Sequence, residues 1–170
     1  MADTLTAEQI DIKRAVADAI ADYKTANGLF RKRPFSNDDP TAISNLANAE
    51  TGLERWEDAL KDFTRAAQLK NDFLAPQIGR ALVLYQLDRP QETFAFFQSL
   101  AVKYPTYADA QAALAVLYYE KGDIENARDC WETALEQDSR YQDDEWVRDI
   151  RRWPPKLADS LKTFKVEVNK

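Results

Sequence analysis

One interval governs this sequence: 34 residues. Three segments, Pro40–Phe73, Leu74–Tyr107 and Ala108–Tyr141, align on one another without a gap. The eighth residue of each is alanine (Ala47, Ala81, Ala115), and the twentieth is Ala59, Thr93 or Ala127. The twenty-fourth is Phe63, Phe97 or Trp131, and the twenty-seventh Ala66, Leu100 or Ala134. Places 20, 24 and 27 stand at i, i+4 and i+7, one face of a helix. Small residues at places 8 and 20 let two antiparallel helices approach closely, and the aromatic at place 24 fills the space toward the next unit. The spacing predicts helix, turn, helix in every segment, with turns near Leu53–Arg55, Asp88–Pro90 and Gly122–Asp123. Such a hairpin has one apolar face too many to stand alone, so neighbours must stack. The predicted fold class is all-α: a right-handed α-solenoid of three helix hairpins, flanked by an N-terminal helix and a C-terminal helical cap.

These recurring residues resemble the tetratricopeptide repeat. The third copy, from Ala108 through Ala127, Trp131 and Ala134, carries the resemblance most fully. The first two copies depart from the pattern: Glu50 stands where a Tyr is usual, and Thr93 replaces the second small Ala. The resemblance covers 102 of the 170 residues. It implies three boundaries: residues 1–39 as a capping helix and linker, 40–141 as three units (40–73, 74–107, 108–141), and 142–170 as a capping tail.

The flanks read as caps. Leu5-Thr6-Ala-Glu-Gln9-Ile10 combines a capping box, Thr6 with Gln9, and a hydrophobic staple, Leu5 with Ile10. It opens a helix striped by Ile12, Val16, Ala19, Ile20 and Tyr23, which Asn27-Gly28 would stop. Asp39-Pro40 suits the start of the next helix. Downstream, Trp146, Ile150 and Trp153 fall on one helical face, as at the start of a fourth unit, until Pro154-Pro155 stops it. A last amphipathic helix, Lys156–Lys165, carries Leu157, Leu161 and Phe164, with Arg148, Arg151 and Arg152 expected on the solvent side. The phrase Ile150-Arg-Arg-Trp-Pro-Pro-Lys-Leu157 is similar to the ends of cyanobacterial and chloroplast repeat proteins, some of which assist photosystem assembly.

In the tetratricopeptide family the first helix of each unit lines a concave groove, through the second, fifth, ninth and twelfth places. The resemblance therefore implies a partner-binding groove formed by Ser44, Asn48, Ile78, Leu82, Tyr85, Asp109, Val116 and Tyr119. Ser44 and Asn48 would bond a partner's backbone, and the two tyrosines offer large apolar faces with one polar tip each. Alternatively these residues serve the fold alone, covered by the chain's own N-terminal helix. The family's carboxylate clamp for chaperone tails would fall on Ser44, Asn48, Gly79, Asp109 and Ala113, where only Asn48 fits. Phe94 and Phe96 flank the core Phe97, and the three cannot all face one way: they form either a second interface or a contact buried against the third copy.

Composition narrows the chemistry. There is no histidine, one cysteine (Cys130) and four glycines, so imidazole acid–base work, an intrachain disulfide and phosphate-cradling loops are excluded. No cofactor, metal or enzymatic activity is expected. The formal charge of −6 is uneven: residues 1–144 sum to −9 and residues 145–170 to +3. The basic cap (Arg148, Arg151, Arg152, Lys156) could meet an acidic partner or an anionic surface. The acidic body argues against nucleic acid.

The expected function is a non-enzymatic adaptor or scaffold holding a peptide or helix of another protein in its groove. Two alternatives stay open: an assembly factor for a photosynthetic membrane complex, touching the membrane only through a partner, and a structural module that self-associates, including as a homodimer. The start of the chain lacks a signal peptide, which implies a soluble, cytoplasmic protein, or a plastid or thylakoid-associated one if a targeting sequence was removed.

Overall fold

The computed structural model describes Thr6, residues 10–18, residues 20–21 and residues 39–168. Leu5, Gln9, the stop at Asn27–Gly28 and the linker before Asp39 lie outside the described residues. Residues 10–18 are helical (α1). Then follow α2 (Pro40–Gly52), α3 (Trp56–Leu69), α4 (Leu74–Gln86), α5 (Pro90–Lys103), α6 (Ala108–Glu120) and α7 (Ile124–Gln137). A 3-10 turn (Ser139–Gln142), a π-turn (Trp146–Ile150) and α8 (Pro155–Val168) complete the chain. Among the described residues there is no strand. The chain forms two compact units, residues 1–80 and 81–170, with the boundary inside α4.

In the first unit, Asp39 accepts from the Thr41 amide at 2.9 Å, and Pro40, at the first helical place, fixes the entry to α2. α2 packs on α3 around Ile43, Leu46, Ala47, Ala59, Phe63 and Ala66, all buried. Gly79 of α4 lies so close to Phe63 that a methyl group there would meet the ring at 2.5 Å. Lys13 of α1 pairs with Glu54 at 3.3 Å.

The second unit packs α5 on α6, α6 on α7 and α8 on α6. Its core includes Ala81, Val83, Phe97, Ala110, Ala113, Leu117, Ala127 and Trp131. Thr93, where the repeat usually has a small residue, is buried and donates its hydroxyl to the Ala81 carbonyl at 2.8 Å. The extra polar atom is thus satisfied across the helix pair rather than left to destabilise it.

The 34-residue interval is written into the hydrogen bonds. Each hairpin turn closes with the same six-residue bond: Arg55 N to Glu50 O at 2.9 Å, Arg89 N to Leu84 O at 2.9 Å, Asp123 N to Tyr118 O at 3.0 Å. That closure, which satisfies a helix's last carbonyls, needs one residue with left-handed backbone. Glu54 (φ 60°), Asp88 (φ 61°) and Gly122 (φ 78°) fill the place, so only the third copy uses the residue suited to it. A second recurring bond joins one repeat to the next: Gln77 donates to the Asn71 carbonyl at 2.8 Å, and Gln111 to the Pro105 carbonyl at 2.5 Å.

The C-terminal region differs from the sequence expectation. Trp146, Ile150 and Trp153 do not share a face: Ile150 is 67% exposed while Trp153 is buried. The chain tightens into a π-turn, with Arg151 N bonded to Trp146 O at 3.0 Å, and Arg152 turns left-handed at φ 56°. Pro154 and Pro155 forbid a continuous helix through this point and force the preceding residue out of helical geometry. Arg151 therefore leaves the solvent side expected for it and points inward, where Asp109 requires a cation.

Gly79→Ala forces the Phe63 ring from its place and should lower stability by about 1–3 kcal/mol in urea unfolding. Glu54→Gly relieves a left-handed non-glycine residue and should raise it by about 1 kcal/mol, read as a higher urea midpoint with unchanged slope.

Candidate functional site

The groove-facing places of the second unit are filled, and the occupant is the chain's own C-terminal helix. α8 is amphipathic by spacing: Leu157, Leu161 and Phe164 stand at i, i+4 and i+7, and their exposures are 0, 1 and 0%. Phe164 reaches between two helices, with its ring 5.4 Å from Tyr119 of α6 and 5.8 Å from Trp131 of α7. Edge-on and tilted aromatic contacts of this kind add about 0.5–1.5 kcal/mol each beyond the area they bury.

Polar clamps fix both ends of α8. At its start the Lys156 amide, one of the donors that a helix leaves unpaired, is taken by Gln86 Oε1 at 3.0 Å. The Lys156 ammonium pairs with Asp88 and lies 5.9 Å from the centre of the Tyr85 ring. One turn on, Tyr85 donates its hydroxyl to Glu120, and Ser160 Oγ lies 2.9 Å from both groups. At the far end Lys165 pairs with Asp144 and donates to the Gln142 carbonyl at 3.0 Å.

Asp109, at the head of α6, is the centre of the other clamp. Its Oδ1 accepts from Tyr141 and from both Nη2 and Nε of Arg151, the latter at 3.0 Å. Tyr141 is itself enclosed by Trp146 and Trp153, at 5.2 and 5.6 Å between ring centres. The titration behaviour follows from this enclosure. Burial pushes the Tyr141 phenol far up, and the charge and acceptance of Asp109 push it further. Burial, then the acceptor Glu120, does the same to Tyr85. Tyr107 is pushed up to about 12 by burial and by Asp109. Burial alone would lower the Arg151 guanidinium, but its bonds to Asp109 outweigh that and hold it charged.

The expected groove residues therefore separate by unit. In the second unit Leu82, Tyr85, Asp109 and Val116 are buried and Tyr119 is half-buried. α8 and the turns before it meet Tyr85, Asp109 and Tyr119 directly. The cover expected from the N-terminal helix is supplied here by the C-terminal one. In the first unit Ser44 is only 3% exposed, so its hydroxyl does not lie on an open face, while Asn48 and Ile78 are half-buried.

Phe94 packs edge-on against Tyr118 at 5.1 Å beneath the Lys121 ammonium, and Phe96 packs edge-on against Phe97 at 5.2 Å. Both are half-buried. Of the basic cap, Arg148 pairs with its neighbour Asp149, Arg151 with Asp109 and Lys156 with Asp88, whereas Arg152 is exposed. Cys130 is half-buried, its thiol pushed up to about 11 by burial and by the charges of Asp129 and Asp123.

Sequence reasoning missed Gln86, Glu120 and Ser160, polar residues that no spacing singles out. Among the described residues no group of acids and cysteine could hold a metal, and no helix is long and apolar enough to cross a membrane.

Helix pairs closed by identical turns and stacked at a fixed interval define an all-α helical-repeat scaffold. Residues 108–141 match the family model of the tetratricopeptide repeat. A solved structure of MamA is similar over 98% of this chain and 96% of that one, with a TM-score of 0.61 and 15% identity, a likeness of fold. No curated protein matches the sequence. Repeats of this type support protein-interaction scaffolds in general.

Asp109→Asn leaves Arg151 facing a neutral amide. With the guanidinium partly solvated, the cost should be about 2 kcal/mol. Amide exchange should then speed up across residues 139–168 more than in α6 and α7, and uniform exchange would contradict the clamp.

Proposed function

We propose that this protein is a non-catalytic interaction scaffold whose second unit takes an amphipathic helix across α4 and α6, and that α8 occupies that groove as an internal ligand. The observation that carries the reading is the burial of Leu157, Leu161 and Phe164 together with the polar clamps at both ends of the same helix. Helices recognised in grooves present this i, i+4, i+7 set of anchors. Tyr85, with its hydroxyl on Glu120, and Tyr119, with its ring on Phe164, are the groove's principal contacts.

The chemistry of the groove supports binding over catalysis. Tyr85 and Tyr141 hold their protons well beyond neutral pH, and the carboxylate of Asp109 is matched by a guanidinium. Cys130, with its thiol pushed up to about 11, carries little thiolate near neutrality. A general acid or base needs a pKa near the working pH, and burial moves Tyr85, Tyr141 and Cys130 further from it.

The test is made on the full chain. Leu161→Asp with Phe164→Asp should detach α8, seen as loss of amide protection over residues 155–168 with α5–α7 still protected. The opened chain should then bind a synthetic peptide of residues 153–168 in trans, at least about tenfold tighter than the natural chain does, because a tethered competitor acts at millimolar effective concentration. An opened, folded chain that ignores the peptide refutes the helix-binding groove.

A further inference from the structure

The rim of the groove is acidic, and α8 answers it incompletely. Asp88, Asp109 and Asp144 each receive a cation from the C-terminal segment: Lys156, Arg151 and Lys165. The fourth carboxylate, Glu120, has no cation within ion-pair reach among the described residues. It accepts only from the hydroxyls of Tyr85 and Ser160. Room remains beside it, since a solvent-open recess there is lined by Tyr119, Glu120, Lys156, Asp159, Ser160 and Thr163. The Lys156 ammonium is turned to Asp88, so Glu120 keeps its negative charge unpaired by it. A serine reaches Glu120 with one short arm and brings no positive charge to it.

We infer that the outside partner of this groove is a basic amphipathic helix that displaces α8. It places apolar residues where Leu157, Leu161 and Phe164 sit, cations where Lys156 and Lys165 sit, and an arginine or lysine where Ser160 sits. The inference rests on the helix-binding reading and adds its selectivity. A guanidinium in the recess gives Glu120 a bond charged on both sides, stronger than the bond a hydroxyl donates. The tether explains why α8 can be the weaker ligand and still fill the groove: an attached helix competes at high effective concentration, so a free helix must gain affinity elsewhere. Cations at the ends also speed encounter with an acidic rim and disfavour acidic helices.

Three synthetic peptides of residues 153–168 distinguish the outcomes on the full-length protein, read by fluorescence polarisation: the native sequence, Ser160→Arg, and Lys156→Glu with Lys165→Glu. The Ser160→Arg peptide should bind at about tenfold lower concentration than the native one, and the charge-reversed peptide should not bind. Glu120→Gln in the protein should remove the advantage of the arginine, so that the arginine and native peptides bind at similar concentrations. Equal affinities for the native and arginine peptides, or binding of the reversed one, overturn the charge selectivity and leave the groove standing. If no peptide binds even the chain opened by Leu161→Asp and Phe164→Asp, the groove and its selectivity fall together. A chain that dimerises by exchanging α8 and ignores the arginine peptide assigns the groove to a second copy, and overturns the inference.

Discussion

A buried carboxylate at the head of α6 has to be neutralised, and Arg151 neutralises it. Removing one partner of such a pair leaves an uncompensated charge away from water, which costs several kcal/mol when burial is complete and less here, where the guanidinium is partly wet. The geometry of the whole C-terminal segment follows from this demand. To bring Arg151 inward the chain tightens into a π-turn, and Arg152 goes left-handed to turn it back. Two prolines start α8 along α6. Tyr141 reinforces the arrangement by donating to the same oxygen and by packing on Trp146 and Trp153. The ion pair is a weak source of net stability but a strong source of register, because only one placement of the segment satisfies Asp109.

The charge asymmetry of the sequence is thereby explained. Asp88, Asp109 and Asp144 belong to residues 1–144, and their partners Lys156, Arg151 and Lys165 to residues 145–170, while Arg148 pairs with Asp149 inside the tail. Three acids of the −9 body and three cations of the +3 tail are thus paired within one molecule. Counting charge along the chain showed that the two existed, but it assigned the cations to solvent. Pairing depends on which acids the fold leaves at the groove's edge, and that is a property of the stacked helices.

The repeats were legible because their determinants are local. Ala81 against Thr93, or Ala115 against Ala127, lies within one hairpin, so spacing alone brings them together. The turns were legible for the same reason, though the left-handed residue was not: Glu54 and Asp88 hold a place that glycine marks only in the third copy. Gln77 and Gln111 stand 34 residues apart and make the same inter-unit bond, a signal present in the sequence yet masked by the emphasis on apolar places. The amphipathic face of α8 was equally plain. Its destination was not, because an i, i+4, i+7 stripe states that a helix must be covered and says nothing of the covering surface. Amphipathicity fixed the burial of Leu157, Leu161 and Phe164; only the assembled groove fixed Tyr119 and Trp131 as their neighbours.

A helix bound to its own scaffold is under two selective demands that pull apart. It must fill the groove well enough to enclose its own anchors against Tyr119 and Trp131, which favours good anchors. It must also be displaceable if the groove is to serve a partner, which favours restraint elsewhere. The contacts of α8 divide along this line. The three apolar anchors are fully enclosed, whereas its polar contacts lie largely at half-wet ends, where salt and solvent weaken them. At the middle, α8 offers a serine to Glu120. Apolar burial is nearly the same for any helix with the same anchors, so it cannot tell one partner from another. Discrimination must come from the polar contacts, and Glu120 is the position at which another helix can do better than the one already there.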